Sequence, residues 1–194
     1  MRLLRRKFER NPDMKYGFVV YRTTYADDAQ WEQFMNYLSI HTRRNLNSAN
    51  AQDFIQHLDW NVQDDKEKLD GASPSKVREE FRKWVENGSE ANHATSRHHA
   101  CVMVDQEALE TIFKEGLDPE EFDSFGESWV YLVSKEDEGN GDYDAEDWIR
   151  EEDGKREKVW VTRVGLSYLV PRVFELLDGP GWHNFADPYG VVRS

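Results

Sequence analysis

Cysteine is nearly absent: Cys101 stands alone among 194 residues, so no disulfide can form within the chain. A disulfide-stapled scaffold is excluded, and a reducing interior, the cytoplasm, is the expected location. No stretch approaches the 18 or more apolar residues of a membrane span, so none is expected. The first ten residues are too charged for the apolar stretch of a signal peptide. Basic side chains are also scarce, 25 Lys and Arg against 38 Asp and Glu, for a formal charge of -13. Phosphate backbones need a clustered positive face, so nucleic acid is not an expected partner. The chain contains no G-x-x-x-x-G-K-[ST], no G-x-G-x-x-G after a strand, no G-x-S-x-G, no C-x-x-C and no H-E-x-x-H. Phosphate-cradling loops, the α/β-hydrolase elbow and the common zinc sites therefore have no sequence support. No repeat of 20 to 50 residues is evident, which removes solenoids and propellers.

What the chain does have is bulk: seven Trp, ten Phe and eight Tyr. Residues 1–13 form a basic N-terminal arm, with five basic groups and one acidic among the first ten, expected to be frayed and solvated or to act as a docking arm. Residues 14–194 read as one domain. Tyr16 to Thr23 is a β-branched and aromatic run, with Phe18 and Val20 on one side and Val19 and Tyr21 on the other. A strand apolar on both sides needs cover on both. Asp27 or Asp28 caps a helix whose Trp31, Phe34, Met35 and Leu38 follow helical spacing, before a polar stretch from Asn45 to Asn50. Leu58, Trp60 and Val62 alternate with polar residues, suggesting a short strand. Ser73 or Ser75 caps a helix carrying Val77, Phe81, Trp84 and Val85. Further strands are expected over 97–104, 129–133 and 158–163, with a short helix after Asp105. Residues 135–156 are an acidic loop. A final helix from Leu166 to Leu177 contains Pro171, which requires a late start or a kink. Trp182, Phe185 and Tyr189 are expected to pack back on the body. The order predicts an α+β fold, a mixed or antiparallel sheet of four to five strands flanked by helices, with a ferredoxin-like sandwich as the first candidate.

The run Phe18-Val19-Val20-Tyr21-Arg22-Thr23-Thr24-Tyr25, followed by Asp27-Asp28 and Trp31-x-x-Phe34, resembles a group of uncharacterised proteins of filamentous fungi. Cys101-Val102-Met103-Val104-Asp105 and Trp129-Val130-x-Leu132-Val133 extend the resemblance over residues 16 to 190. The resemblance implies a single folded unit and brings no activity or catalytic residue.

Candidate chemistry is thin. On a strand, Arg97, His99, Cys101 and Met103 would share one face and His98 the other. A Cys–His dyad is conceivable there, but a cysteine between Ala100 and Val102 reads as a small buried hydrophobe. His93, His98, His99 and Cys101 lack zinc-ligand spacing, so no metal is expected. Asn140, Asp142, Asp144 and Glu151 fall at EF-hand positions, but Ala145 replaces the turn glycine and Asp147 an apolar residue, so a solvated charged loop is the better account. Arg22 and Arg163 each end an apolar strand, where a charge is seldom buried without a partner. Together with His98 and His99 they form the candidate ligand set, a cluster at one end of the sheet for a small anionic ligand. No catalytic residue is assigned and no cofactor is implied. Two functions follow: a non-catalytic protein-interaction module, with a protein partner or self-association as a homodimer, or a small-molecule binder or cofactor-free enzyme using that pocket. The first is preferred, because no nucleophile constellation is recognisable.

Overall fold

The computed structural model describes residues 2–88, 90–114, 118–136, 149–152, 155–158, 160–187 and 189–193. Among them, helices α1 (Arg2–Arg10), α2 (Asp28–Ser48), α3 (Lys66–Leu69), α4 (Pro74–Glu86), α5 (Ser96–His99) and α6 (Gln106–Lys114) alternate with strands β1 (Val19–Arg22), β2 (Asn61–Gln63) and β3 (Ala100–Val104). Strands β4 (Trp129–Ser134), β5 (Ile149–Glu152), β6 (Lys155–Lys158) and β7 (Val161–Gly165) follow. Helices α7 (Leu166–Tyr168) and α8 (Phe174–Asp178) and strand β8 (Val191–Val192) complete the chain. The fold is α+β.

The main sheet is mixed and has six strands in the order β2-β1-β3-β4-β7-β8. β1 runs parallel to β2 and β3, β4 is antiparallel to β3 and β7, and β8 is parallel to β7. The count exceeds the expected four to five by β8, an edge strand of only two residues, too few to show an alternation; the short strand expected from Leu58, Trp60 and Val62 is β2 at the other edge. A ferredoxin-like sandwich inserts an antiparallel strand within its split βαβ unit, whereas β1 and β2 are direct neighbours here. From β1 the chain moves one way to β2 and then back across β1 to β3. Connections of one hand moving in opposite directions must cross opposite faces of the sheet.

The side chains record this. On one face Phe18, Val20, Val102, Val104, Val130, Leu132 and Val164 pack with Trp31, Phe34 and Leu38 of α2 and Leu109 and Ile112 of α6. On the other, Val19, Tyr21, Cys101, Met103 and Val133 pack with Leu69 of α3 and Val77 and Phe81 of α4. The strands are apolar front and back, and the chain's own helices cover the central ones on both faces. Asp27 caps α2 by accepting from Ala29 and Gln30 N–H, Ser73 caps α4 through Lys76 N–H, and Asp105 accepts from Ala108 N–H at the start of α6.

Several local expectations are corrected by tertiary contacts. The N-terminal segment is not a solvated arm: Leu4 and Phe8, one helical turn apart, are buried in the main core. Phe8 meets Phe54 edge-on at 5.2 Å, while Arg5 pairs with Asp53 and Lys7 with Asp178. Helix α2 continues through Asn45, whose buried side chain donates to Ser167 O and Val170 O. The interruption expected at Pro171 is present: Val170 is extended (φ −135°, ψ 128°) before it, as the steric demand of a following proline favours. Trp182 and Phe185 pack inward, but Tyr189 is 66% exposed. Part of the segment read as an acidic loop is a hairpin, β5 pairing with β6, and the last long strand begins at Val161, not Lys158. Of the EF-hand positions, Asn140, Asp142 and Asp144 lie outside the described residues.

Candidate functional site

The four residues singled out from sequence are not assembled into one site. Arg22 (4% exposed) ends β1 with its guanidinium between carboxylates and aromatic rings. It donates to Thr24 O and Asp28, lies 3.5 Å from Asp64, and sits 4.4 Å over Tyr25 and 5.1 Å over Trp31. Arg163 aligns with Tyr131 on the neighbouring strand, donates to Tyr189 O and lies over the Trp129 ring. Strand order places β7 three positions from β1, roughly 14 Å at about 4.8 Å per strand. Register puts Arg163 in the row of Tyr21, Met103 and Tyr131, so Arg22, one residue past Tyr21, faces the other way.

His98 and His99 belong to α5 and not to a strand, because the turn from Thr95 closes with a His98 N–H to Thr95 O bond. His98 stacks on Trp84 at 5.8 Å, and burial pushes its pKa down to about 4. Burial also lowers His99, helped by Lys135, while Glu136 lies 3.8 Å away. Cys101 is fully buried and burial raises its thiol pKa well above the ordinary value, which suits packing and not nucleophilic chemistry. Among the described residues no group of three or more His, Cys, Asp or Glu is placed to hold a metal, and no helix is long and apolar enough to cross a membrane.

Arg97 is the buried charge that matters to the framework. At 1% exposure it makes a two-pronged contact with Glu90 (2.7 and 2.8 Å), pairs with Asp59, and donates to the carbonyls of Gly17 and Asp59. Burial pushes the Glu90 carboxyl up, but hydrogen bonding and charge from Arg97, with Asn61 and Lys15, outweigh it and hold Glu90 below its ordinary value. The clamp fixes the entries to β1, β2 and β3 together.

Two open surfaces stand out among the described residues. The first is a crevice of about 540 Å³ at the carboxyl ends of β1 and β3, lined by Thr23, Thr24, Tyr25, Gly71, Asp105 and Glu107 among others. It lies between the carboxyl ends of β1 and β3, from which the chain departs in opposite directions, toward β2 and toward β4. Its threonine hydroxyls are already engaged, Thr23 with Val104 O and Thr24 with Gln106. Burial raises Asp105, aided by the nearby Glu107 charge.

The second is the loop from Asp118 to Ser128, and it is built with more care. Asp123 is 3% exposed, and its carboxylate accepts N–H bonds from Phe125 (3.1 Å), Gly126 (2.8 Å) and Ser128 (2.8 Å). Its own N–H donates to Ser167 Oγ. Ser167 in turn donates to His41 Nε2 at 2.8 Å, because His41 Nδ1 must carry the proton it gives to Pro119 O at 2.9 Å. Burial lowers the His41 pKa, consistent with this neutral tautomer. Gly126 turns the loop at φ +65°, with Arg193 and Val191 packed where a side chain would go. This framework holds Phe122 at 44% and Phe125 at 72% exposure. Phe122 leans edge-on against Tyr168, whose hydroxyl donates to Ser124 O.

The Ser167–His41 bond has the length of a nucleophile–base contact. Both residues are buried, at 4% and 1%, and Ser167 Oγ is engaged as donor and acceptor. The pair staples the loop to α2. Sequence reading missed this site. Asp123-Ser124-Phe125-Gly126 carries a turn signature, an acidic residue three before a left-handed glycine, but nothing local says that the phenylalanines point outward.

Comparison with protein-family models, with curated proteins and with solved structures gives no match.

Proposed function

We propose that this protein is a non-catalytic interaction module whose contact surface centres on Phe122 and Phe125, acting in the reducing cytoplasm that its single cysteine favours. The observation that carries the reading is the buried Asp123 carboxylate, whose three backbone hydrogen bonds fix a loop that turns two phenylalanines into solvent. Leaving such a side chain in water forgoes about 1.5–3 kcal/mol of burial. A rigid loop that bears this cost offers apolar area to a partner with little ordering entropy left to lose. A photo-crosslinking residue at position 125, expressed in source cells, is expected to capture a discrete partner or a second copy. The same residue at position 79 on α4 serves as control. Equal capture at 125 and 79 would overturn the proposal.

A second reading rests on the crevice beside β1 and β3. With Asp70, Asp105 and Glu107 along it, it suits a small organic cation and not the anion expected from sequence. Ligand-observed NMR with matched panels of amines and carboxylates tests this: line broadening by amines supports it, and none by either panel removes it.

A further inference from the structure

Beside Phe122 runs a groove of about 540 Å³ between the C-terminal end of α2 and the turn at Pro171. We infer that it takes a linear acidic peptide segment, with one bulky apolar side chain in the groove and carboxylates on Arg44 and Arg172. The inference rests on the interaction reading and names the partner's chemistry. The walls are Ala49, Phe122, Tyr168 and Pro171, with Arg44 half-buried and Arg172 exposed at the rim. No carboxylate lines it. Among the described residues neither arginine has an ion-pair partner, in a chain with 38 acidic residues.

An apolar trough flanked by two guanidinium groups selects a ligand that is apolar at its centre and anionic at its flanks. A guanidinium binds a carboxylate through paired N–H donors, and an apolar side chain between such contacts fixes register. The net charge of -13 opposes an acidic partner at long range. Screening acts over about 8 Å at physiological salt, and of the residues lining the groove only the two arginines are charged. Phe122 is shared with the aromatic loop, so groove and loop form one continuous surface.

The test is fluorescence polarisation with labelled octapeptides whose central residue is Trp, Leu or Ser and whose flanks are all Glu, all Gln or all Lys. Glu-flanked Trp peptides are expected to bind at least ten-fold tighter than Lys-flanked or Ser-centred ones. The Arg44→Glu/Arg172→Glu protein should lose ten-fold or more of that affinity while keeping its urea midpoint. Arg44→Lys/Arg172→Lys should retain part of it. Equal binding of Glu- and Lys-flanked peptides, no binding of either, or full affinity in the charge-reversed protein would overturn the inference. If capture at position 125 persists in any of those cases, the module stands and only the partner chemistry fails. Peptide binding without capture at 125 would uphold the groove and remove Phe125 from the contact surface.

Discussion

Replacing Asp123 by alanine deletes the acceptor of three backbone N–H groups at once. Phe125 is exposed, so water takes over its N–H. Gly126 and Ser128 are buried, and their N–H groups lose their partner without gaining solvent. An orphaned buried donor costs about 1–3 kcal/mol. Two such donors, less the relief of no longer burying a carboxylate, put Asp123→Ala near 3 kcal/mol. Asp123→Asn keeps one carbonyl oxygen but turns an amide toward an N–H, and should cost about 2 kcal/mol. Urea unfolding measures the loss. Hydrogen exchange localises it, with protection at Gly126 and Ser128 falling before that of β3 and β4. Capture at position 125 should fall as well, because the phenylalanines are no longer held in one arrangement. A loss below about 1 kcal/mol, or unchanged exchange at those two amides, would refute the idea that the carboxylate holds the loop.

Arg97→Met should destabilise by about 3–5 kcal/mol in urea titration, because Glu90, Asp59 and two carbonyls lose their shared partner; a loss under 1 kcal/mol would show that the clamp is not buried in solution. Gly17→Ala should cost about 2 kcal/mol, since φ is +111° and the added methyl would lie 2.8 Å from Asp59 O; wild-type stability in that variant would contradict the close approach. His98 has its folded pKa lowered to about 4 by burial, below the ordinary ~6.5 of an unfolded histidine. Its neutral form therefore contributes fully above pH ~6.5, and up to about 3 kcal/mol is lost as pH falls toward 4. In His98→Phe, which keeps a ring on Trp84, the stability-against-pH curve should flatten over that window, and an unchanged slope would show that His98 is not the titrating group. Ser167 should resist a fluorophosphonate probe, while Ser167→Ala costs about 2 kcal/mol by stripping Asp123 N–H and His41 of their partner. Mass-spectrometric labelling at Ser167 would reverse its assignment as a staple.

Much of the scaffold was readable along the chain. Trp31, Phe34 and Leu38 share a helical face and lie in the core beneath α2, and the Asp27 and Ser73 caps sit where their neighbours place them. The two-sided apolar runs around Val20, Val102 and Leu132 demanded cover on both faces, and α2 and α4 provide it. The alternation of Leu58, Trp60 and Val62 marked β2, but β8, with two residues, was not readable, because it is too short for a period and is defined by the strand beside it. The candidate set of Arg22, His98, His99 and Arg163 was chosen by residue type. Strand order and side-chain alternation put the two arginines on different strands and opposite faces.

Sequence alone determined which segments are greasy on one side or both, where the capped helices begin, and that one thiol leaves no covalent staple, since each depends on neighbours a few positions away. Only the tertiary structure decided what each polar group does. Asp123 meets Ser167 across 44 residues, Arg97 reaches Gly17 across 80, and His41 finds Ser167 across 126. A buried charge or hydroxyl takes its role from the partners that satisfy it, and those partners are set by the packing of the whole chain.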